Sequence, residues 1–547
     1  MSKKFIYISL FLIVLFGGFI RFYHLGTLPS GFHFDEASLG YNAYSLLLTG
    51  KDEYGVKYPL VLQSFGDYKP ALYAYMDIPL VKMWGLTIFA TRFPSALFGT
   101  LSILIMFFLA RQITQKDKDA LLASLLLAIT PWHIFISRTA TEATVALFFL
   151  MSIFALALYM HAQKNIKYWA IALVVLCSGI AILTYAGARL FVPMLLVLAF
   201  FLPRAKKAFY ISLVSAFVIV VLGILWYNKS ASITRFDQVS IFTKEDTQAA
   251  MSLQIREEGS VSPLITRIFH NKLVNYTRVF LYDYDQYMSL DFLALHGGYP
   301  PRIHIADLGE FYLWEIPFLL IGVYMVFRQK KTIWFVILAW WLILLAPAAS
   351  TSDAIPNVYR ASPVIPAIVL LITYGISQFR LGKYNKLLFA AIILAGIFEF
   401  GYGVNQYSVH GEVHQPWYQG YTYKELDSIL HTYDGQPYAH YLITKYNSTP
   451  YIYLLFYDKY NPALYQSQGS PRDLLNFSSF GRYMFTEESC PSTLSTEQLK
   501  HGVTSTNTVF VDAGICDESG NNSGLTKTTR LIRWQDGSES FYVVTYK

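Results

Sequence analysis

Charge is what this chain has least of. Asp, Glu, Lys and Arg together make up 14% of its 547 residues, against roughly 25% in a soluble domain. A deficit of that size over such a length excludes an ordinary soluble protein and places much of the chain in lipid. Cysteine is also scarce, with three residues, which excludes a disulfide-built scaffold. Cys177 falls inside an apolar run. Cys490 and Cys516 fall in the polar C-terminal part, where a disulfide and two free thiols are both open, depending on the compartment that part faces. There is no internal repeat and no low-complexity tract. No HExxH, P-loop or GxGxxG context occurs, which removes the usual nucleotide-site and zinc-protease signatures. His33, His296 and His304 show no metal-ligand spacing, and Asp283, Asp285 and Asp291 read as solvated rather than metal-binding.

What the chain has is apolar and aromatic. Hydrophobic residues reach 54% and aromatics 17%, with 41 Tyr and 41 Phe. Such rings suit membrane interfaces and carbohydrate stacking alike. A helix needs about 20 mostly apolar residues to cross a bilayer. The apolar runs predict eleven spans, at 5–24, 88–110, 120–137, 142–161, 168–186, 189–203, 208–227, 309–327, 332–349, 361–378 and 386–404. The first run lacks a small-residue cleavage site and is followed by Arg21-Phe22-Tyr23-His24, so it reads as an uncleaved helix rather than a signal peptide. With the N-terminus inside, the inner loops hold Arg111, Lys116 and Lys118; Lys164 and Lys167; Arg204, Lys206 and Lys207; Arg328, Lys330 and Lys331; and Arg380, Lys383 and Lys386. The net charge of +7 is thereby explained by the positive-inside rule, without nucleic acid, and the C-terminus is expected outside the cytoplasm.

Three segments then face out. Residues 25–87 hold two amphipathic stretches, 37–49 and 70–84, expected to lie along the membrane surface. Residues 228–308 form the second. The tail, 405–547, reads as a soluble α/β domain behind a membrane domain of residues 1–404. Its expected elements are a helix near 422–432, β-like runs at 438–444, 451–457 and 507–512, and a hairpin of 529–535 and 539–546 turned at Asp536-Gly537.

The anomaly is a set of cations at the outer helix ends, where the positive-inside rule disfavours them: Arg21, Arg92, Arg138, Arg189 and Arg360, with Lys69 in the first outer loop. Snorkelling to headgroups explains any one of them. A shared anion explains their recurrence at one depth, and a lipid phosphate fits the planar fork of arginine. Close to them in sequence lies Asp35-Glu36. One reading makes Asp35 the cap of helix 37–49, with Glu36 in its first turn; the other sets a carboxylate beside a reaction centre. The readings are compatible. A sugar leaving as its lipid phosphate needs charge stabilisation more than a general acid. The attacking hydroxyl needs a base, and single displacement inverts the anomeric centre. Glu142, opening the fourth span, allows capping and function equally.

The order of these features resembles the GT-C membrane glycosyltransferases, in the branch of protein O-mannosyltransferases and lipid A aminoarabinose transferase. The residues that carry it are Phe34-Asp35-Glu36-Ala37, Tyr41, Tyr68-Lys69-Pro70-Ala71-Leu72, Thr91-Arg92-Phe93-Pro94-Ser95-Ala96, Ser137-Arg138-Thr139-Ala140-Thr141-Glu142, Tyr185-Ala186-Gly187-Ala188-Arg189-Leu190 and Trp417-Tyr418-Gln419-Gly420-Tyr421. The resemblance covers about residues 5–425. It implies a mainly α, polytopic GT-C-type bundle of about eleven spans with a C-terminal extracytoplasmic α/β domain. It implies a polyprenyl-phosphate sugar as donor, Asp35 and Glu36 as the catalytic acids with Asp35 the base, and Lys69, Arg92, Arg138, Arg189 and Arg360 around the lipid phosphate. Tyr41, Tyr68, Glu142 and Tyr185 are the expected substrate contacts. No cofactor is expected, a divalent metal remaining open, and neither sugar nor acceptor (protein, lipid or glycan) is specified. The expected setting is a bacterial cell membrane. The chain departs from the pattern where relatives carry an acid directly before the lysine: Tyr68 stands there, with Asp67 one step earlier. Two other readings are a flippase for a lipid-linked sugar, which would place charges near midspan, and a glycan ligase using a polyprenyl diphosphate.

Overall fold

Proline sets where the apolar runs break. The computed structural model describes the chain apart from residues 1, 30, 204–205, 231–239, 243–244, 260–261, 301–302, 380–384, 415, 469–477, 496–497, 500–501 and 517–524; Arg204, Arg380 and Lys383 of the inner loops lie outside the described residues. The expected span 120–137 is two helices, α5 (Asp117–Ile129) and α6 (Pro131–Arg138), bent by 56°. Pro131 lacks an N–H and disfavours helical geometry at Thr130, whose ψ is 122°. The run 361–378 is likewise divided into Val358–Ala361, a 3₁₀ turn at Ser362–Val364 and Ile365–Gln378, around Pro363 and Pro366. The run 309–327 shortens to the helix Ile316–Gln329. Among the described residues, six helices are long and apolar enough to cross a membrane, or seven with the bent pair taken as one. Two further apolar helices, Tyr168–Thr184 and Ala188–Phe200, are shorter. The count of eleven is therefore not reached on length, but the chain is a multi-pass membrane protein.

Two compact units are present, one of residues 1–23 and 95–407, the other of residues 24–94 and 408–547. The first holds α1 (Lys3–Phe22), α5, α6, α7 (Glu142–Ala162), α8 (Tyr168–Thr184), α9 (Ala188–Phe200), α10 (Lys207–Ser230) and the later apolar helices, together with α4 (Ile88–Thr114) from Ser95 onward. The helices Ile316–Gln329 and Ile365–Gln378 touch backbone to backbone. A Cβ on Gly322 would lie 2.1 Å from the Leu371 carbonyl oxygen, and one on Gly375 1.9 Å from that of Phe318. This is the small-residue contact that membrane helices use. An apolar cleft of about 830 Å³, lined by Leu122, Leu126, Trp314, Phe318, Ile393 and Phe400 among others, lies within this unit.

The second unit joins residues 24–94 to the tail. Helix α2 (Phe34–Thr49) packs on α3 (Leu72–Trp84) and on the tail helix Pro450–Tyr457. Ten of the sixteen residues of α2 are buried, so α2 does not lie along a membrane surface as its amphipathic pattern suggested; it is the centre of a protein core. Between α2 and α3 runs a hairpin of β1 (Val61–Ser64) and β2 (Asp67–Pro70). The tail adds a six-stranded sheet in the order β4-β5-β3-β6-β8-β7, with β3 (His440–Thr444) parallel to both β5 (Tyr483–Thr486) and β6 (Thr508–Ala513). β7 (Lys527–Arg533) and β8 (Glu539–Tyr546) form the expected hairpin, and β4 (Ser478–Phe480) is the short edge. The β-like run 451–457 is helical instead. Pro450 occupies its first turn, and its apolar residues are buried on all sides, which erases the alternation a half-buried strand needs. Cys490 and Cys516 are disulfide-bonded. Aromatic residues join the two parts of this unit: Phe32 packs on Phe456 with centroids 4.6 Å apart and rings tilted by 49°, and the Tyr41 hydroxyl donates to the Tyr460 carbonyl at 3.0 Å.

Replacing Phe456 by Ala removes the ring that α2 and Phe32 close upon. The expected loss is about 3 kcal/mol or more of unfolding free energy, the usual range for a buried Phe. Thermal unfolding of the purified full-length protein, with protease sensitivity of the tail as a second readout, measures it.

Candidate active site

The site starts from how α2 begins. The cap of this helix is His33, not Asp35. His33 Nδ1 accepts from the Asp35 N–H at 3.3 Å, and the Glu36 carboxylate accepts from the His33 N–H at 3.2 Å. This reciprocal box satisfies two of the four N–H groups that a helix start leaves over. It also relieves Asp35 of capping. Asp35 and Glu36, adjacent in a helix, then point about 100° apart and meet different partners.

Glu36 turns inward. Its two oxygens receive Arg92 Nε at 2.9 Å and Nη2 at 3.0 Å, and both side chains are buried. Arg92 also donates to the carbonyls of Pro29 (2.8 Å), Leu25 (3.3 Å) and Gly31. A planar fork fits this task as an ammonium would not. Glu36 and Arg92 are thus committed to one another and to the loop before α2.

Asp35 turns outward. Its side chain is 52% exposed, and Lys69 Nζ donates to Oδ1 at 3.1 Å, with His33 Nδ1 3.3 Å from Oδ2. Lys69 itself is buried. β1–β2 turns tightly through Phe65 and Gly66, both at positive φ (53° and 76°), the geometry of a two-residue hairpin. The register pairs Lys69 with Leu62. Paired residues share a face, and Leu62 and Ser64 mark that face as the buried one. The surrounding protein raises the Asp35 pKa by desolvation. The Lys69 ammonium and the His33 ring outweigh that and hold the carboxyl far below the usual carboxylate range. Asp35 is ionised and in reach of solvent. Of the other residues expected here, Tyr68 is partly exposed on β2, whereas Tyr41 is buried with its hydroxyl on the Tyr460 carbonyl.

The remaining expected residues belong to the helical unit. Arg138 donates to the Tyr23 carbonyl (2.7 Å), the Ile20 carbonyl and the Tyr407 hydroxyl (3.0 Å). It thereby closes the C-terminal end of α1, where carbonyls lack helical partners and a cation is favoured. Arg21 does the same for α5, reaching the carbonyls of Ala128 (3.1 Å) and Leu127 (3.3 Å) and lying 2.7 Å from His133 Nδ1. Arg360 is held by Thr351 Oγ1 at 2.9 Å and by Asp353. Arg189 lies over the Tyr227 ring at 4.6 Å, a cation–π attraction. Glu142 is the first residue of α7, behind the Thr141 cap, and Tyr185 ends α8. Among the described residues, no group of three His, Cys, Asp or Glu side chains is arranged to hold a metal.

One acidic residue escaped the sequence reading. Glu53 is fully buried, accepts from Asn42 Nδ2 at 2.9 Å and from the Tyr451 hydroxyl at 3.4 Å, and titrates near neutrality: burial, opposed by these hydrogen bonds, pushes it up to about 7. Nothing local marks Lys51-Asp52-Glu53-Tyr54 as buried; the sequence reads as a solvated loop.

The Glu36–Arg92 pair makes a distinct energetic prediction. Arg92→Met leaves a buried carboxylate without its partner, with an expected loss of about 3–5 kcal/mol. The double variant Arg92→Met with Glu36→Gln should recover a large part of it. A double-mutant cycle on thermal or urea unfolding reads the coupling.

With this geometry in hand, comparison with known proteins is informative. Residues 68–227 match the family model described as dolichyl-phosphate-mannose-protein mannosyltransferase. An uncharacterized protein of Aquifex aeolicus (strain VF5) is 27% identical over 179 residues, which is 32% of this chain and 35% of that protein. The fold is similar to the archaeal oligosaccharyltransferase AglB of Archaeoglobus fulgidus in complex with an inhibitory peptide and a dolichol-phosphate (TM-score 0.47, 13% identity, 83% of this chain, 64% of that one). It is also similar to ArnT of Cupriavidus metallidurans, both in the apo state (TM-score 0.45, 13% identity, 79% and 70%) and bound to undecaprenyl phosphate (TM-score 0.44, 12% identity, 79% and 73%). The match to the Aquifex protein spans about a third of its length, and the match to AglB under two thirds. Over residues 68–227, a stretch that contains Lys69, Arg92, Arg138 and Arg189, this chain carries the sequence pattern of the dolichyl-phosphate-mannose-protein mannosyltransferase family.

Proposed function

We propose that this protein is a membrane glycosyltransferase that moves a sugar from a polyprenyl-phosphate lipid to an acceptor hydroxyl, with inversion, at the extracytoplasmic face. The observation that carries the reading is the Asp35–Lys69 pair: an ionised carboxylate open to solvent, held by a buried ammonium at 3.1 Å. In the resting pair Asp35 is too weak a base to take a hydroxyl proton. A phosphate that draws Lys69 away removes the main stabiliser of its charge, and its pKa climbs toward a useful range. Donor binding thereby activates the base. Lys69 stabilises the phosphate as it leaves, while Asp35 takes the proton of the attacking hydroxyl and returns it to solvent through its exposed edge.

In this reading Lys69 is the principal phosphate ligand and Arg189, stacked on Tyr227, the next candidate. Arg92 and Arg138 hold loop and helix ends, Glu36 holds Arg92, and Arg360 with Asp353 is the least available cation. Tyr68, Glu142 and Tyr185 are proposed to contact substrate. The apolar cleft of about 830 Å³ in the helical unit is a seat for a hydrocarbon chain. The disulfide supports a tail in an oxidising compartment, in agreement with the basic inner loops, and hence an N-terminus inside and a tail outside, as in a bacterial cell membrane. No cofactor is assigned, and the sugar and acceptor are left to experiment.

Purified protein supplied with a panel of polyprenyl-phosphate sugars, with mass spectrometry of the products, tests the reaction. Asp35→Asn should lower kcat about 10²–10⁴-fold with donor binding kept. Lys69→Met should instead raise the donor KM. Unchanged transfer by Asp35→Asn rejects Asp35 as base.

A further inference from the structure

Helix α2 carries a polar stripe on a buried face. Asp35, Ser38, Asn42, Ser45 and Thr49 fall at the spacing i, i+3, i+7, i+10, i+14, one side of a helix. From Ser38 to Ser45 the stripe is buried. Its partners lie opposite in order. Asp35 meets Lys69 on β2; Ser38 Oγ meets Ser64 Oγ on β1 at 2.8 Å; and Asn42 meets Glu53, both through the carboxylate and by accepting from the Glu53 N–H at 3.0 Å. Lys69, Leu62 and Ser64 share one face of the hairpin, and the stripe of α2 runs from the Asp35–Lys69 contact to the Asn42–Glu53 contact. Lys69 acts electrostatically on both.

We propose that Glu53 is a positioning residue of the Asp35–Lys69 site: a second, exchangeable carboxyl whose charge decides how freely Lys69 is offered to the phosphate of a lipid ligand. With Glu53 protonated, Asp35 and Lys69 form a neutral pair, and an arriving phosphate has one carboxylate to displace from the ammonium. With Glu53 ionised, a buried negative charge faces the same ammonium and opposes the anion. Phosphate binding therefore brings a proton onto Glu53 from solvent, and phosphate release returns it. No covalent bond changes in this step.

The groups around Glu53 allow this exchange. Asp52 on its own loop opposes its ionisation, as Lys69 on β2 favours it. Tyr451 of the tail donates its hydroxyl to Glu53 and lies 3.5 Å, hydroxyl to hydroxyl, from Tyr54, while Tyr465 of the tail and Tyr41 of α2 lie within electrostatic reach. The loop that carries Glu53 is itself tied down. Asp52 Oδ1 accepts from the N–H groups of Tyr54 and Val56 at 3.0 and 2.8 Å, and Gln466 of the tail donates to the Asp52 carbonyl at 2.9 Å. The tail thereby has a role in the site: Gln466 holds the loop and Tyr451 covers the carboxyl, whose burial raises its pKa while the Tyr451 hydrogen bond opposes the rise.

The inference rests on the phosphate-binding role of Lys69 proposed above, and its test separates the two. Full-length protein in detergent is titrated with undecaprenyl monophosphate from about pH 5.5 to 8.5, as wild type and as Glu53→Gln. The amide accepts from Asn42 as the carboxyl does, so the fold is kept. Comparing the two proteins at each pH cancels the ionisation of the phosphate itself. They should bind equally at the acid end, and the variant about tenfold more tightly at the alkaline end, the scale of one unit charge several ångströms away in a partly polarisable interior. The midpoint should fall near 7.

A second readout needs no ligand. A carboxyl raised in the folded protein to about 7 from an ordinary 4.5 stabilises fully below 4.5 and loses that contribution as pH rises through 7. The Tm of wild type relative to Glu53→Gln should fall across that window and level off above it. A pH-independent Tm difference overturns the titration of Glu53. A titrating Tm with equal binding at all pH overturns its coupling to Lys69 and leaves the glycosyltransferase reading standing. Binding by neither protein at any pH overturns both.

Discussion

The buried ion pair between Glu36 and Arg92 is the constraint on which the start of α2 and the placing of Asp35 depend. It fixes the first turn of α2 from within, while Arg92 gathers the carbonyls of the preceding loop and His33 caps the helix. Two acids in adjacent positions cannot face the same way on a helix. Because one is tied inward, the other is presented outward, rigid and ionised, to Lys69. A helix that started one residue later, or frayed, would let both carboxylates wander. The desolvation of the pair is offset by its two-pronged geometry and by further hydrogen bonds, and what it confers is position.

Cations that look alike in sequence divide by what surrounds them. Arg21 and Arg138 end as caps for the C-terminal carbonyls of α5 and α1. In the membrane domain such carbonyls have little water to turn to, so a fixed guanidinium is an effective donor. Arg92 serves a loop, and Arg360 is tied to its own neighbourhood. Lys69 stands apart as a buried ammonium paired with an exposed carboxylate. The inner face of α2 then links that ammonium to Glu53 and, through Tyr451, to the tail. The tail is thus a structural partner of residues 24–94 rather than an appended module.

Much of the fold was legible. The membrane character, most helix positions, the C-terminal hairpin and the tail strands 440–444 and 508–513 followed from composition and period, which are local properties. Resemblance in order and spacing singled out Asp35 and Lys69. Other features were hidden because they are long-range. The run 451–457 has strand-like residues but is helical, since burial on every side removes the face preference that period reveals. Glu53 sits in a polar tetrapeptide and becomes a buried, near-neutral carboxyl only because α2, the hairpin and a tail helix some 400 residues away in sequence close over it.

The sequence by itself determined that the chain crosses a membrane many times and where its aromatic and basic residues fall. Each of these follows from transfer energies and short-range spacing. Tertiary structure alone decided that His33 rather than Asp35 caps α2, that Glu36 faces Arg92 while Asp35 faces Lys69, and that the tail packs on the outer segment 24–94. The physical reason is that a charged group takes its role from its surroundings. Desolvation and pairing are set by residues distant in the chain, and no local pattern encodes them.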